Sequence, residues 1–201
     1  MTRRPLPQAW RAGAAALLAL AALALSLPPL RVWIEQSMVW HMLVQMPLLM
    51  CAGWWAAAAW GQVAESRWNR FGLSAFMLAQ VMTAYWMVPA AIDRAVVLPG
   101  VDATKIASLW LGGWALRSGF KHAPPAVQLF FAGYSLPMLV WLGLYLASTE
   151  LRLCNAYSLQ SQVRAGWGLV VLAAVLSAGW IVALVLGRSR DAGWSAQPQK
   201  R

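Results

Sequence analysis

Between Ser37 and Trp60 the chain reads SMVWHMLVQMPLLMCAGWWAAAAW, with no Asp, Glu, Lys or Arg anywhere in the run. A helix of that length spans the ~30 Å hydrocarbon core of a bilayer. A stretch this long and this apolar leaves few choices other than a membrane helix. Its first half is nevertheless not plain hydrocarbon. Met38, His41, Met42, Gln45 and Met46 recur at spacings of three and four, which places them on one helix face. Thioether and imidazole together suit a soft metal such as Cu(I). The same stripe also suits a methionine-lined packing seam, because Met is an adaptable filler of apolar space. Cys51, further along, reads as packing.

The rest of the chain repeats the pattern. Of 201 residues, 61% are hydrophobic and 11% charged, far from the balance of a soluble domain. The expected architecture is an all-α, polytopic membrane helical bundle forming a single domain over 1–201. Six transmembrane spans are expected near 12–29, 37–60, 71–92, 104–120, 126–149 and 165–187, followed by a basic tail at 188–201. The first run has a basic head and an Ala/Leu core, as a signal peptide does, but its length favours an uncleaved span. Gly61 to Arg70 reads as a polar turn and Glu150 to Arg164 as a polar loop. The fourth span is the shortest, with Lys105 and Arg117 placed to snorkel at its ends.

Six spans put both termini on one side. Of the 16 Lys and Arg residues, only Arg31, Arg94, Lys105, Arg152 and Arg164 fall on the opposite side. That bias predicts cytoplasmic termini. It also accounts for the formal net charge of +10 without nucleic acid. Glu35, Asp93, Asp102 and Glu150 gather on the outer side, as solvated loop residues or as a lure for cations. Cys51 and Cys154 are too far apart in the expected topology to pair.

In this arrangement His41, Met38 and Met42 lie in the outer third of the second span. Met87 and Tyr85 reach the same depth from the third. A ligand set of His41, Met38, Met42 and Met87 is therefore geometrically open, and polar groups at membrane depth tend to mark function. Pro47, Pro89 and Pro137 interrupt three spans and read singly as kinks. Gly112-Gly113 permits close helix approach. No paired carboxylates within a span, no nucleophile elbow, no zinc-protease motif and no phosphate loop are present, so no catalysis is expected. His122 lies at the opposite edge from His41, which disfavours a haem held by both.

Several segments together resemble the CtaG-like membrane proteins associated with assembly of copper-containing cytochrome c oxidase. WHMLVQMPLLMCAG is similar to that family's segment bearing His and Met. YWMVPAAIDRAV matches its third-span motif at Trp86, Pro89 and Asp93, with Met87 standing where the family has His. LWLGGW resembles a fourth-span glycine–tryptophan element. Tyr145, Gln162, Ala165 and Gly166 match later elements. The likeness runs from Met38 to Trp167. It departs at Gln45, where a second His is expected, and near Lys105, where a fourth-span His is missing. The resemblance implies a copper-binding assembly factor in the bacterial inner membrane, serving cytochrome c oxidase subunits, with Asp93, Gln162, Gln45 and Tyr85 around the ligands. The alternatives are an accessory subunit packing against a larger membrane complex without metal, and a small permease, which the lack of charge at mid-membrane disfavours.

Overall fold

The computed structural model describes residues 8–60 and 67–195. The expected termini of the basic flanks (Arg3, Arg4, Lys200 and Arg201) and most of the polar turn from Gly61, with Glu65, lie outside the described residues. Every regular element among those described is helical. In chain order they are α1 (Gln8–Ala24), α2 (Leu30–Ile34), α3 (Met38–Trp60), a short 3-10 segment (Arg67–Gly72), α4 (Leu73–Trp86), α5 (Pro89–Val97), α6 (Pro99–His122), α7 (Pro125–Ser148) and α8 (Leu159–Ser195).

Among the described residues, three helical segments are long and apolar enough to cross a membrane: Met38–Trp60, Pro125–Ser148 and Leu159–Ala183. The expected continuous span at 71–92 is broken instead. It stops at Trp86, and the chain turns by 73° into α5; counted as one bent unit, the pair makes a fourth candidate. Pro89 explains the break, since it cannot donate to the ladder and holds Val88 in an extended conformation (φ −74°, ψ 123°). Helix α1 has 17 residues, or about 25 Å, and stops well before residue 29. Helix α6 begins at Pro99, earlier than the expected 104, so Asp102 and Lys105 lie within it. Helix α8 starts at Leu159 and takes in the first part of the expected tail.

Helix α3 is the centre of the fold. It packs against α1 on one side and α6 on the other; α6 also packs on α4, and α7 pairs with α8. The α3–α6 contact is a backbone approach. A Cβ on Gly53 would overlap the carbonyl of Trp110, and one on Gly113 would overlap that of Met50. Only hydrogen fits at these two crossings. Alanines fill the α1–α3 seam, where Ala15, Ala56 and Ala59 are buried together. The principal core gathers Met38, Met42, Leu49, Trp86, Ile92, Leu109 and Leu169 around the first half of α3. That end of the bundle also holds most of the buried polar side chains.

Candidate functional site: an ionic core at the start of α3

The first turns of α3 are not α-helical. From His41 to Gln45 the helix widens into a π turn, and Met46 N–H bonds the carbonyl of His41, five residues back. Pro47 supplies a reason, because its missing N–H leaves the neighbouring ladder free to re-register. The wide turn presents His41 and Gln45 to α6 across a fully buried contact; π turns of this kind recur at functional sites.

His41 and Lys105 are both 0% exposed. The Lys105 ammonium lies 3.1 Å from His41 Nε2, 3.5 Å from Gln45 Oε1 and 2.6 Å from Asp102 Oδ1. The other ring nitrogen, Nδ1, is 2.8 Å from the Tyr157 hydroxyl. With Lys105 charged, Nε2 accepts from the ammonium. The single proton of a neutral imidazole then sits on Nδ1 and is donated to the Tyr157 oxygen. Burial, with the Glu35 carboxylate next, pushes the Tyr157 hydroxyl above its ordinary range and keeps it a protonated phenol.

The network continues outward. Asp102 Oδ2 is 3.5 Å from Arg31, which pairs with Glu35 at 2.9 Å and donates to the carbonyls of Ala95 and Val96, each at 3.1 Å. Gln45 Nε2 donates to Ser26 Oγ at 3.2 Å and to the Leu25 carbonyl at 3.3 Å. One chain of contacts thus ties the α1–α2 connection, α3, the end of α5, α6 and the loop before α8. The two basic and two acidic groups from Glu35 to Lys105 balance, which is what allows charge to stay buried at all.

The residues expected at the site divide. His41 and Gln45 stand at its centre. Met38 and Met42 are buried in the adjoining apolar core. Met87 caps the end of α4 at the bend, half-buried. Tyr85 is 51% exposed and meets Trp86 edge-on at 4.9 Å, turned away from the polar core. Asp93 and Gln162 hold the loop that carries Tyr157. Asp93 accepts from the backbone N–H of Asn155 at 2.9 Å and of Ala156 at 3.2 Å. Gln162 accepts from Leu153 N–H at 2.9 Å and donates to the Leu151 carbonyl at 3.1 Å. Sequence reasoning missed Lys105, Asp102, Arg31 and Tyr157 as members. Asp102 and Lys105, one turn apart in an apolar run, were the available signal.

As arranged, these residues do not fit a metal at His41, because the one ring lone pair, on Nε2, faces the Lys105 ammonium and Nδ1 carries the proton that faces Tyr157. Among the described residues no group of three or more His, Cys, Asp or Glu side chains is placed to hold an ion. No protein family, no curated protein and no solved structure matches the chain.

Proposed function

We propose that this chain is a membrane-embedded accessory or assembly partner of a larger respiratory complex, acting through protein contacts and not by carrying copper. The observation that carries this reading is the engagement of both His41 nitrogens by Lys105 and Tyr157. Lys105 brings a fixed cation to the place where a soft metal would need the imidazole. Copper held by His41 with Met38, Met42 and Met87 requires Lys105 or Tyr157 to withdraw first, leaving buried charge or a buried hydroxyl unpaired. The resemblance to the CtaG-like proteins supports the assignment to oxidase assembly in a bacterial inner membrane.

In this reading all six apolar runs cross the bilayer and both termini are cytoplasmic. Helix α6 carries Asp102 and Lys105, but they neutralise each other inside the bundle and neither faces lipid. Its 24 residues reach about 36 Å. The distribution of Lys and Arg supports the orientation.

Two measurements test the proposal. Protein purified under reducing conditions is expected to hold no stoichiometric copper; one copper per chain that disappears in His41→Ala overturns the metal-free reading. Deleting the gene is expected to lower the spectrally assembled oxidase in membranes, with no recovery on adding copper. Unchanged oxidase in the deletion strain overturns the assembly role.

A further inference from the structure

We infer that the groove between the start of α3 and the start of α8 binds one anionic phospholipid, its phosphate against Arg164 and an acyl chain along the helices below. The groove measures about 490 Å³, within the range of small-ligand sites. Its two walls grade in the same direction. On α8, Gln160, Arg164 and Gly168 follow at intervals of four, one face of the helix. On the opposite wall Gln36 leads to Val39 and Trp40, then to Leu43. Both walls are polar where the helices begin and apolar one to two turns further in. Leu43 reaches so close to Gly168 that a Cβ there would overlap it, so the two walls touch at the floor of the groove at that level.

Charge selects the headgroup. Arg164 is exposed and makes no ion pair among the described residues. No acid lines the groove: Glu35 pairs with Arg31, Asp102 with Lys105, Asp93 accepts from the backbone of Asn155 and Ala156, and Glu150 makes no ion pair among the described residues. The groove therefore offers a guanidinium without a protein anion, flanked by the amides of Gln36 and Gln160, and a phosphate diester accepts from such a set. Arg164 stands five residues into the apolar segment Leu159–Ala183, about 7–8 Å from its start. An arginine at that depth snorkels to headgroup level. Trp33 and Trp40, with ring centroids 5.4 Å apart, mark the same level at the rim.

The wall below selects a lipid over a free anion. Past Gly168 the α8 surface continues through Val171 and Val175, which are 61% and 62% exposed. A soluble phosphate has no use for that strip, whereas an acyl chain covers it.

The test is native mass spectrometry of delipidated protein in detergent, with phosphatidylglycerol or phosphatidylcholine of the same chains added back. One phosphatidylglycerol is expected to be retained with about tenfold preference, or about 1.4 kcal/mol. Arg164→Gln is expected to remove the preference and Arg164→Lys to keep most of it. Arg94→Gln, at an exposed cation outside the groove, is expected to leave it intact. Unchanged thermal melting of Arg164→Gln separates lost binding from lost fold. Equal retention of the two lipids by wild type overturns the proposal, as does retention indifferent to Arg164. So does full competition by glycerol phosphate without chains, or a dimer peak that vanishes in Arg164→Gln and assigns the groove to a second copy.

Discussion

The ammonium of Lys105 and the imidazole of His41 meet at 3.1 Å with neither exposed, so a cation is built against the histidine of the central apolar helix. Asp102 balances that cation from one turn away on the same helix. Removing Lys105 leaves Asp102 only its 3.5 Å contact with Arg31, and removing Asp102 leaves Lys105 without a carboxylate in contact. Lys105→Met is therefore expected to cost about 3–5 kcal/mol of stability, the usual penalty for breaking a buried pair. Adding Asp102→Leu to it should cost less than the two single changes together, with a coupling of about 0.5–3 kcal/mol. Chemical denaturation in detergent for the four variants of the cycle gives both numbers. Additive effects would show that the pair is screened by water.

Tyr157 reaches His41 from a loop, and the loop is itself held by Asp93 and Gln162. Tyr157→Phe keeps the ring and deletes the oxygen that accepts from Nδ1–H. A buried donor without a partner costs about 1–3 kcal/mol. Hydrogen exchange should speed up first in residues 149–158, where the hydroxyl is an anchor, and least at the α3–α6 crossing. Equal protection throughout would mean that the loop is fixed by its backbone contacts alone.

Much of this was legible in the chain. The apolar runs announce membrane helices because no soluble core accommodates them, and His41, Gln45, Asp93 and Gln162 stand out as polar side chains in or beside such runs. Lys105 did not stand out, because a lysine near the end of a short span reads as snorkelling. Its burial follows from α6 starting at Pro99, which moves it a turn and a half into the helix and sets Asp102 beside it. Tyr157 is 116 residues from its partner, beyond any local pattern. The bend after Trp86 was signalled by Pro89, but proline within an apolar run is equally compatible with a continuous kinked helix, and only packing decides.

The crossing of α3 and α6 gives a prediction independent of the ionic core. At Gly113 a methyl group meets the backbone of Met50, which cannot rotate aside as a side chain can. Gly113→Ala is expected to push the helices apart and destabilise by about 1–3 kcal/mol or more. Gly133→Ala, where the added Cβ meets nothing within 4 Å, is the matched control and should be neutral or slightly stabilising. Thermal unfolding in detergent distinguishes them. Equal behaviour of the two variants would contradict the close approach.

Cys154 reports on the loop that carries Tyr157. Burial first, then the Asp93 carboxylate, pushes its thiol up to about 11. Raising a thiol's pKa depletes the thiolate at every pH below it, and thiolate is the reactive form. At pH 7.5 the thiolate fraction is about 300-fold below that of an ordinary cysteine, and burial slows access further. Maleimide labelling in a Cys51→Ala background should accordingly be at most about 1% of the rate for a free thiol. Asp93→Asn weakens the caps on Asn155 and Ala156 and removes the neighbouring negative charge, so labelling should accelerate by about tenfold or more. The rate should also climb with pH toward 11 in the wild type. Fast labelling of Cys154 at neutral pH would show an open loop, and with it a Tyr157 that does not hold His41.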